Sequence, residues 1–201
     1  MPSGRSDAGR PQLLVFVEGL RTELQYINCW YRIYRAQVLV EIDERHGTPM
    51  TLVKAAIKAK QTEQREERRN RGKAHDEYWC VFDRDEHPQF DEAIKLAHDN
   101  GIRIAVSNPC LELWFVWHFE EQTAHIERDD VQRRAAALLG CYKSLTDSAL
   151  TMLSEHARYE VAKKRALRMD AKHEGDGSTS GTNPSSAMHR LIDRIRGSSS
   201  T

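Results

Sequence analysis

The chain has 201 residues, enough for one domain or for one domain with an appendage. Its 30 basic and 30 acidic residues cancel, so overall charge points to no particular partner and only local clusters can. Cys29, Cys80, Cys110 and Cys141 lack the C-x-x-C spacing of a zinc site, the leader "MPSGRSDAGRP" lacks an apolar signal segment, and no run approaches the ~20 apolar residues of a membrane helix, so a cytoplasmic protein with free thiols is expected.

Residues 1–11 read as a flexible leader. "QLLVFVE" (12–18) is a continuous apolar run, as expected of a strand covered on both faces. Gly19 breaks it. Thr22 with Gln25 three residues on has the form of a capping box, and Ile27, Trp30, Tyr31 and Tyr34 make the apolar stripe of the helix that follows. "QVLVEIDE" (37–44) predicts a second strand. A long helix is expected over about 48–71, apolar in its first half at Leu52, Val53, Ala56 and Ile57. Its second half is charged all round and should project into solvent or onto a partner.

"EYWCVFD" (77–83) predicts the third strand, 88–99 a helix stopped by Asn100-Gly101, and "IRIAVSN" (102–108) the fourth strand. "PCLELWFVWHF" (109–119) reads as a buried helix with Pro109 at its first position. Helices are then expected over 129–139, 147–173 and 186–196, with the polar loop "EGDGSTSGTNPSS" before the last. The alternation of strands and helices predicts an α/β fold: a mainly parallel sheet flanked by helices, over a core of 12–125, with a helical C-terminal extension over 126–201.

In such a sheet, ligand sites form outside the carboxyl ends of the strands. Glu18 ends the first strand, with Glu23 close behind; Asp83 ends the third, with Asp85 in its loop. Carboxylates gathered in one crevice repel one another unless a cation sits among them. Oxygen-only ligands suit Mg2+ or Mn2+ and disfavour zinc. A lone D-x-D is as often solvated as functional; Glu18-Gly19 at the end of another apolar strand favours function. Glu23 is the weaker candidate, because the helix dipole favours an acid in the first turn in any case.

An acid-Gly pair after the first strand, a second acid in the next helix and a D-x-D after a later strand resemble the Toprim domains of topoisomerases, primases and nucleases. More closely, "VEGLRTELQY", "VFDRDEHPQF", "SNPCLELWFVWHF", "GCYKS" and "NPSSAMHRLID" resemble the RloB-like family, which is associated with bacterial phage resistance. The resemblance implies a Toprim-like core and a divalent-metal-dependent nuclease acting on DNA or RNA. In this reading Glu18, Asp83 and Asp85 are the catalytic, metal-binding residues, with Glu23 as a further ligand. It also implies an ATPase partner in some systems. Leu20 departs from the family pattern, which has a polar or charged residue after the glycine.

Glu112 interrupts an apolar helix and needs a partner, at the metal site or in a buried pair. Ser107, Arg84 and Lys143 are further candidates to line the site, Lys143 and Tyr142 on resemblance alone. Asn108 is expected to cap the following helix, and His118, Trp114 and Trp117 to pack the core. Residues 54–73 hold eight basic and three acidic residues, and Arg65, Arg68 and Arg69 on that stripe are the expected nucleic-acid contacts. Taken alone the stripe reads as a solvated face; beside an acidic metal site the nucleic-acid reading gains. The rival to a nuclease is a non-catalytic sensor or regulatory subunit of an ATPase complex. A second rival, a phosphatase of the haloacid dehalogenase type, places its D-x-D on the first strand, with Thr or Val two residues on where this chain has His87.

Overall fold

The computed structural model describes residues 9–84, 88–177 and 181–197. Asp85 and most of the expected leader lie outside them. The elements run β1 (Gln12–Val17), α1 (Thr22–Tyr34), β2 (Leu39–Ile42), α2 (Pro49–Arg68), β3 (Glu77–Asp83), α3 (Phe90–Asp99), β4 (Arg103–Asn108), α4 (Glu112–Val116), α5 (Arg128–Leu139), α6 (Asp147–Leu153), α7 (His156–Gly175), β5 (Ser185–Ser186) and α8 (Met188–Ile195). The sheet order is β2-β1-β3-β4-β5, parallel throughout except for the short antiparallel β5.

The continuous apolar runs are buried on both faces of the sheet, and alternate residues feed two cores. Leu14 and Phe16 of β1 with Tyr78, Cys80 and Phe82 of β3 pack against α2 and α3. Leu13, Val15, Val17, Trp79 and Val81 face α1 and the C-terminal helices. The residues after 126 form the expected helices, α5 to α8. They also contribute β5 to the sheet, and Val131, Leu139, Tyr159, Met169, Met188 and Ile192 join the same buried cluster as β1 and β3.

Several local expectations are replaced by tertiary contacts. Gln25 makes no capping box: its amide clamps the backbone of Leu145, donating to the carbonyl at 3.1 Å and accepting from the N–H at 2.8 Å. The helix expected from Pro109 starts only at Glu112, after a cis Asn108–Pro109 peptide, and Asn108 donates to the Gly181 carbonyl rather than capping it. The helix expected over 147–173 is two, separated at Ser154, whose hydroxyl turns back to the Leu150 carbonyl at 2.7 Å. The charged half of α2 does not simply project. Glu63 accepts bonds from the His75 N–H and the Tyr78 hydroxyl, and Glu67 accepts from the Ala74 N–H. These bonds tie the end of α2 to the chain that enters β3.

Candidate active site

Parallel strands bring Val17 level with Val81, and Asp83 level with Ser107, so the acids after β1 and β3 share the carboxyl edge of the sheet. Glu18 and Asp83 are joined directly: the Asp83 N–H donates to Glu18 Oε2 at 3.1 Å. Glu23, in the first turn of α1, folds back over Gly19. A Cβ at that glycine would stand 1.9 Å from Glu23 Oε2, so only glycine lets the carboxylate lie against the backbone there. The E-G-x-x-x-E spacing therefore encodes a contact as well as a pattern.

Asp83 sits deepest. Its Oδ1 accepts the Leu111 N–H at 2.9 Å, which anchors the turn into α4, and its Oδ2 is paired with the guanidinium of Arg128. Burial pushes the Asp83 carboxyl up to about 8; Arg128 pulls it down, and nearby Glu23 and Glu112 add to the rise. Burial also raises Glu23, with Glu112 and Glu18 acting in the same direction and Arg128 against them. Four carboxylates from four segments, Glu18, Glu23, Asp83 and Glu112, thus share one neighbourhood, with Arg128 supplying positive charge within it. Glu112, carried by α4, belongs with the acids.

Arg128 was not anticipated. It opens α5, where a base faces the positive end of the helix dipole and is disfavoured. A base in that position is the one trace of its role in the sequence, and the adjacent Asp129 and Asp130 mask it. On the other side of Glu112, a small cavity of about 60 Å³ is lined by Thr22, Tyr142 and Lys143, so the "GCYKS" loop reaches the edge of the site. Lys143 has a left-handed backbone (φ 59), and its ammonium lies over the Tyr142 ring at 5.2 Å. Arg84 leans on the Phe90 ring and donates to the Gly181 carbonyl. Ser107 is buried against Ser186, with 2.8 Å between their hydroxyl oxygens, and is held by the sheet rather than turned toward the acids.

Other candidates lie elsewhere. Arg65, Arg68 and Arg69 are at the C-terminal end of α2, beside the segment that enters β3, and β3 is seven residues long. At ~3.3 Å per residue, roughly 20 Å of sheet separates that stripe from the acids. A second basic run, Arg158, Lys163, Lys164, Arg165 and Arg168 within 155–172, is largely engaged: Lys163 pairs with Asp193, Arg168 with Glu121, and Arg165 donates to the Trp117 carbonyl. His118 is a core residue as expected, its Nδ1 2.8 Å from the Trp114 carbonyl, and burial drives it down to about 4.

The donor set suits a hard cation, because every candidate ligand offers carboxylate oxygen. Cys110 adds no soft thiolate: burial pushes its thiol up, as do the neighbouring Glu112 and Asp83. Among the described residues no three such side chains are placed to hold one ion together. Both oxygens of Asp83 are engaged, one by Arg128, so a cation would have to take the place of that guanidinium.

The family model for RloB-like proteins matches residues 13–195. No curated protein matches the chain. No helix among the described residues is long and apolar enough to cross a membrane.

Proposed function

Since the chain belongs to the RloB-like family, we propose that it is a Toprim-like nuclease that hydrolyses phosphodiester bonds of DNA or RNA with a divalent cation. The observation that carries this reading is the meeting of Glu18, Glu23, Asp83 and Glu112 around Arg128 at the carboxyl edge of the sheet. Glu18, Glu23, Asp83 and Glu112, with Asp85, would hold Mg2+ or Mn2+. Bound there, the ion would lower the pKa of a water and offset charge on the scissile phosphate. Asp83, whose Oδ1 is fixed by the Leu111 N–H, would hold the ion through Oδ2 in place of Arg128. Arg128, displaced from Asp83, would turn its guanidinium to the phosphate, for which its planar set of donors is suited. Arg84 and Arg128 line one cavity of about 550 Å³, where Arg84 would hold a neighbouring phosphate.

Incubation of the purified chain with single-stranded DNA, double-stranded DNA and total RNA, in Mn2+, Mg2+ or EDTA, tests the reading. Cleavage of at least one substrate is expected with either metal and none in EDTA. A chain that binds cation and polynucleotide yet leaves every substrate intact would favour the other reading, a regulatory subunit of an ATPase complex. The engagement of Asp83 by Arg128 is the observation on that side.

A further inference from the structure

Beyond the acids, the open edge of β4 carries a feature that the nuclease reading does not use. The short β5 pairs only with Ser107 and Asn108, which leaves the start of β4 without a strand on its outer side. Three depressions adjoin along this edge. The first, about 660 Å³, is walled by Trp79, Ile94, Ile104 and Leu167, with Arg103 and Arg190 on its rim. The second, about 150 Å³, shares Ile94, Ile104 and Arg190 with the first and adds Arg84. The third, about 550 Å³, shares Arg84 and Phe90 with the second and ends on Arg128, the partner of Asp83. Together they form one trough along β4, leading to the carboxylates.

Its chemistry is layered. The first section is largely apolar and the end nearest the site largely polar, and the ion pairs on the walls place the base outside the acid. Arg103 is 52% exposed above Glu77 at 10%, and Arg190 is 55% exposed above Asp170 at 34%. Lys163 lies over the buried Asp193 in the same way. Two guanidinium groups rest on aromatic rings, Arg103 on Trp79 at 5.5 Å and Arg84 on Phe90 at 5.1 Å. The acids beneath thus hold the bases in place and leave their outer donors toward the trough. Asp91 and Glu127 are the exposed acids of the end nearest the site.

We propose that this trough is the track for a single strand of nucleic acid, delivering it to the carboxylates; the proposal rests on the nuclease reading for what happens at its end. The apolar first section, with the exposed Leu167 on its wall, accepts base faces of any sequence, the arginines stacked on Trp79 and Phe90 offer further planar faces, and the row of arginines accepts the phosphates between them. The middle section is the smallest of the three, at about 150 Å³, which suits one strand better than a duplex. The track replaces the α2 stripe as the nucleic-acid footprint.

The test is fluorescence anisotropy in EDTA with a labelled oligonucleotide, as single-stranded DNA, as single-stranded RNA and as a duplex, over a range of salt. Arg103→Ala/Arg190→Ala should weaken single-strand binding by at least about tenfold and flatten its salt slope by about 1.4, since each phosphate contact contributes about 0.7. Leu167→Asp, which breaks no ion pair and places a negative charge on the exposed wall, should weaken it too. Arg65→Ala/Arg68→Ala/Arg69→Ala should bind as wild type does, and the duplex should bind more weakly than either single strand. Wild-type affinity in both trough variants, or a preference for the duplex, overturns the track and leaves the nuclease reading standing if metal-dependent cleavage persists. Absence of binding by the wild-type chain overturns both. Displacement of the oligonucleotide by poly-glutamate as effective as that by unlabelled oligonucleotide overturns the track in favour of a seat for an acidic protein segment.

Discussion

Glu18→Gln is expected to slow metal-dependent cleavage by about a thousandfold or more while leaving polynucleotide binding and the melting temperature close to wild type. Glutamine keeps a carbonyl oxygen where Glu18 Oε2 accepts the Asp83 N–H, so the link between the ends of β1 and β3 survives. The change removes one negative charge from a group of four carboxylates. A metal's stabilisation of developing charge is worth several kcal/mol, and about 4 kcal/mol corresponds to three powers of ten in rate. Affinity should be spared, because most of the proposed phosphate contacts, Arg103, Arg190 and Arg84, lie along the β4 trough rather than beside Glu18. Single-turnover cleavage measured beside anisotropy separates the two effects. A variant that cleaves within tenfold of wild type removes Glu18 from the metal-binding set.

The second large effect is one of stability. Trp114→Ala should destabilise the chain by about 4 kcal/mol, lowering the melting temperature by roughly 8–16 °C for a protein of this size. Trp114 is fully buried, packs edge-on against His118 and Tyr159, and donates its indole N–H to the Tyr26 hydroxyl at 2.7 Å. Truncation leaves a cavity and an acceptor in the core without its donor. The same helix carries Glu112, so this tryptophan couples the core around α1 and α7 to the acids. Denaturant unfolding gives the value directly; a loss below about 1 kcal/mol would mean that α4 is held by something other than this packing.

The strand ends were legible because a buried parallel strand is a continuous apolar run, and an acid closing such a run stands out. That is how Glu18 and Asp83 were found, and Gly19 with Glu23 followed from spacing. Arg128 stayed hidden because "ERDD" at a helix start reads as ordinary surface; its meaning depends on Asp83, 45 residues earlier, being paired with it. β5 is two serines in a polar loop, with no alternation to mark it. Gln25 and Asn108 each matched a local capping rule, and each is bonded instead to a distant segment, Gln25 to Leu145 and Asn108 to Gly181. The arginines of α2 made the most conspicuous charge cluster, yet their position relative to the acids follows from the direction of α2 along the sheet, which composition does not encode.

The central claim is that the carboxylates around Arg128 are a divalent-cation site, and calorimetric titration of Mn2+ into the wild-type chain, Glu18→Gln and Arg128→Ala tests it most directly, without requiring any substrate or trigger. Saturable binding is expected in the wild type and loss of it in Glu18→Gln. Arg128→Ala should bind more tightly than wild type, because the guanidinium no longer competes for Asp83. A wild-type chain that takes up no Mn2+, or equal binding in all three proteins, would contradict the account.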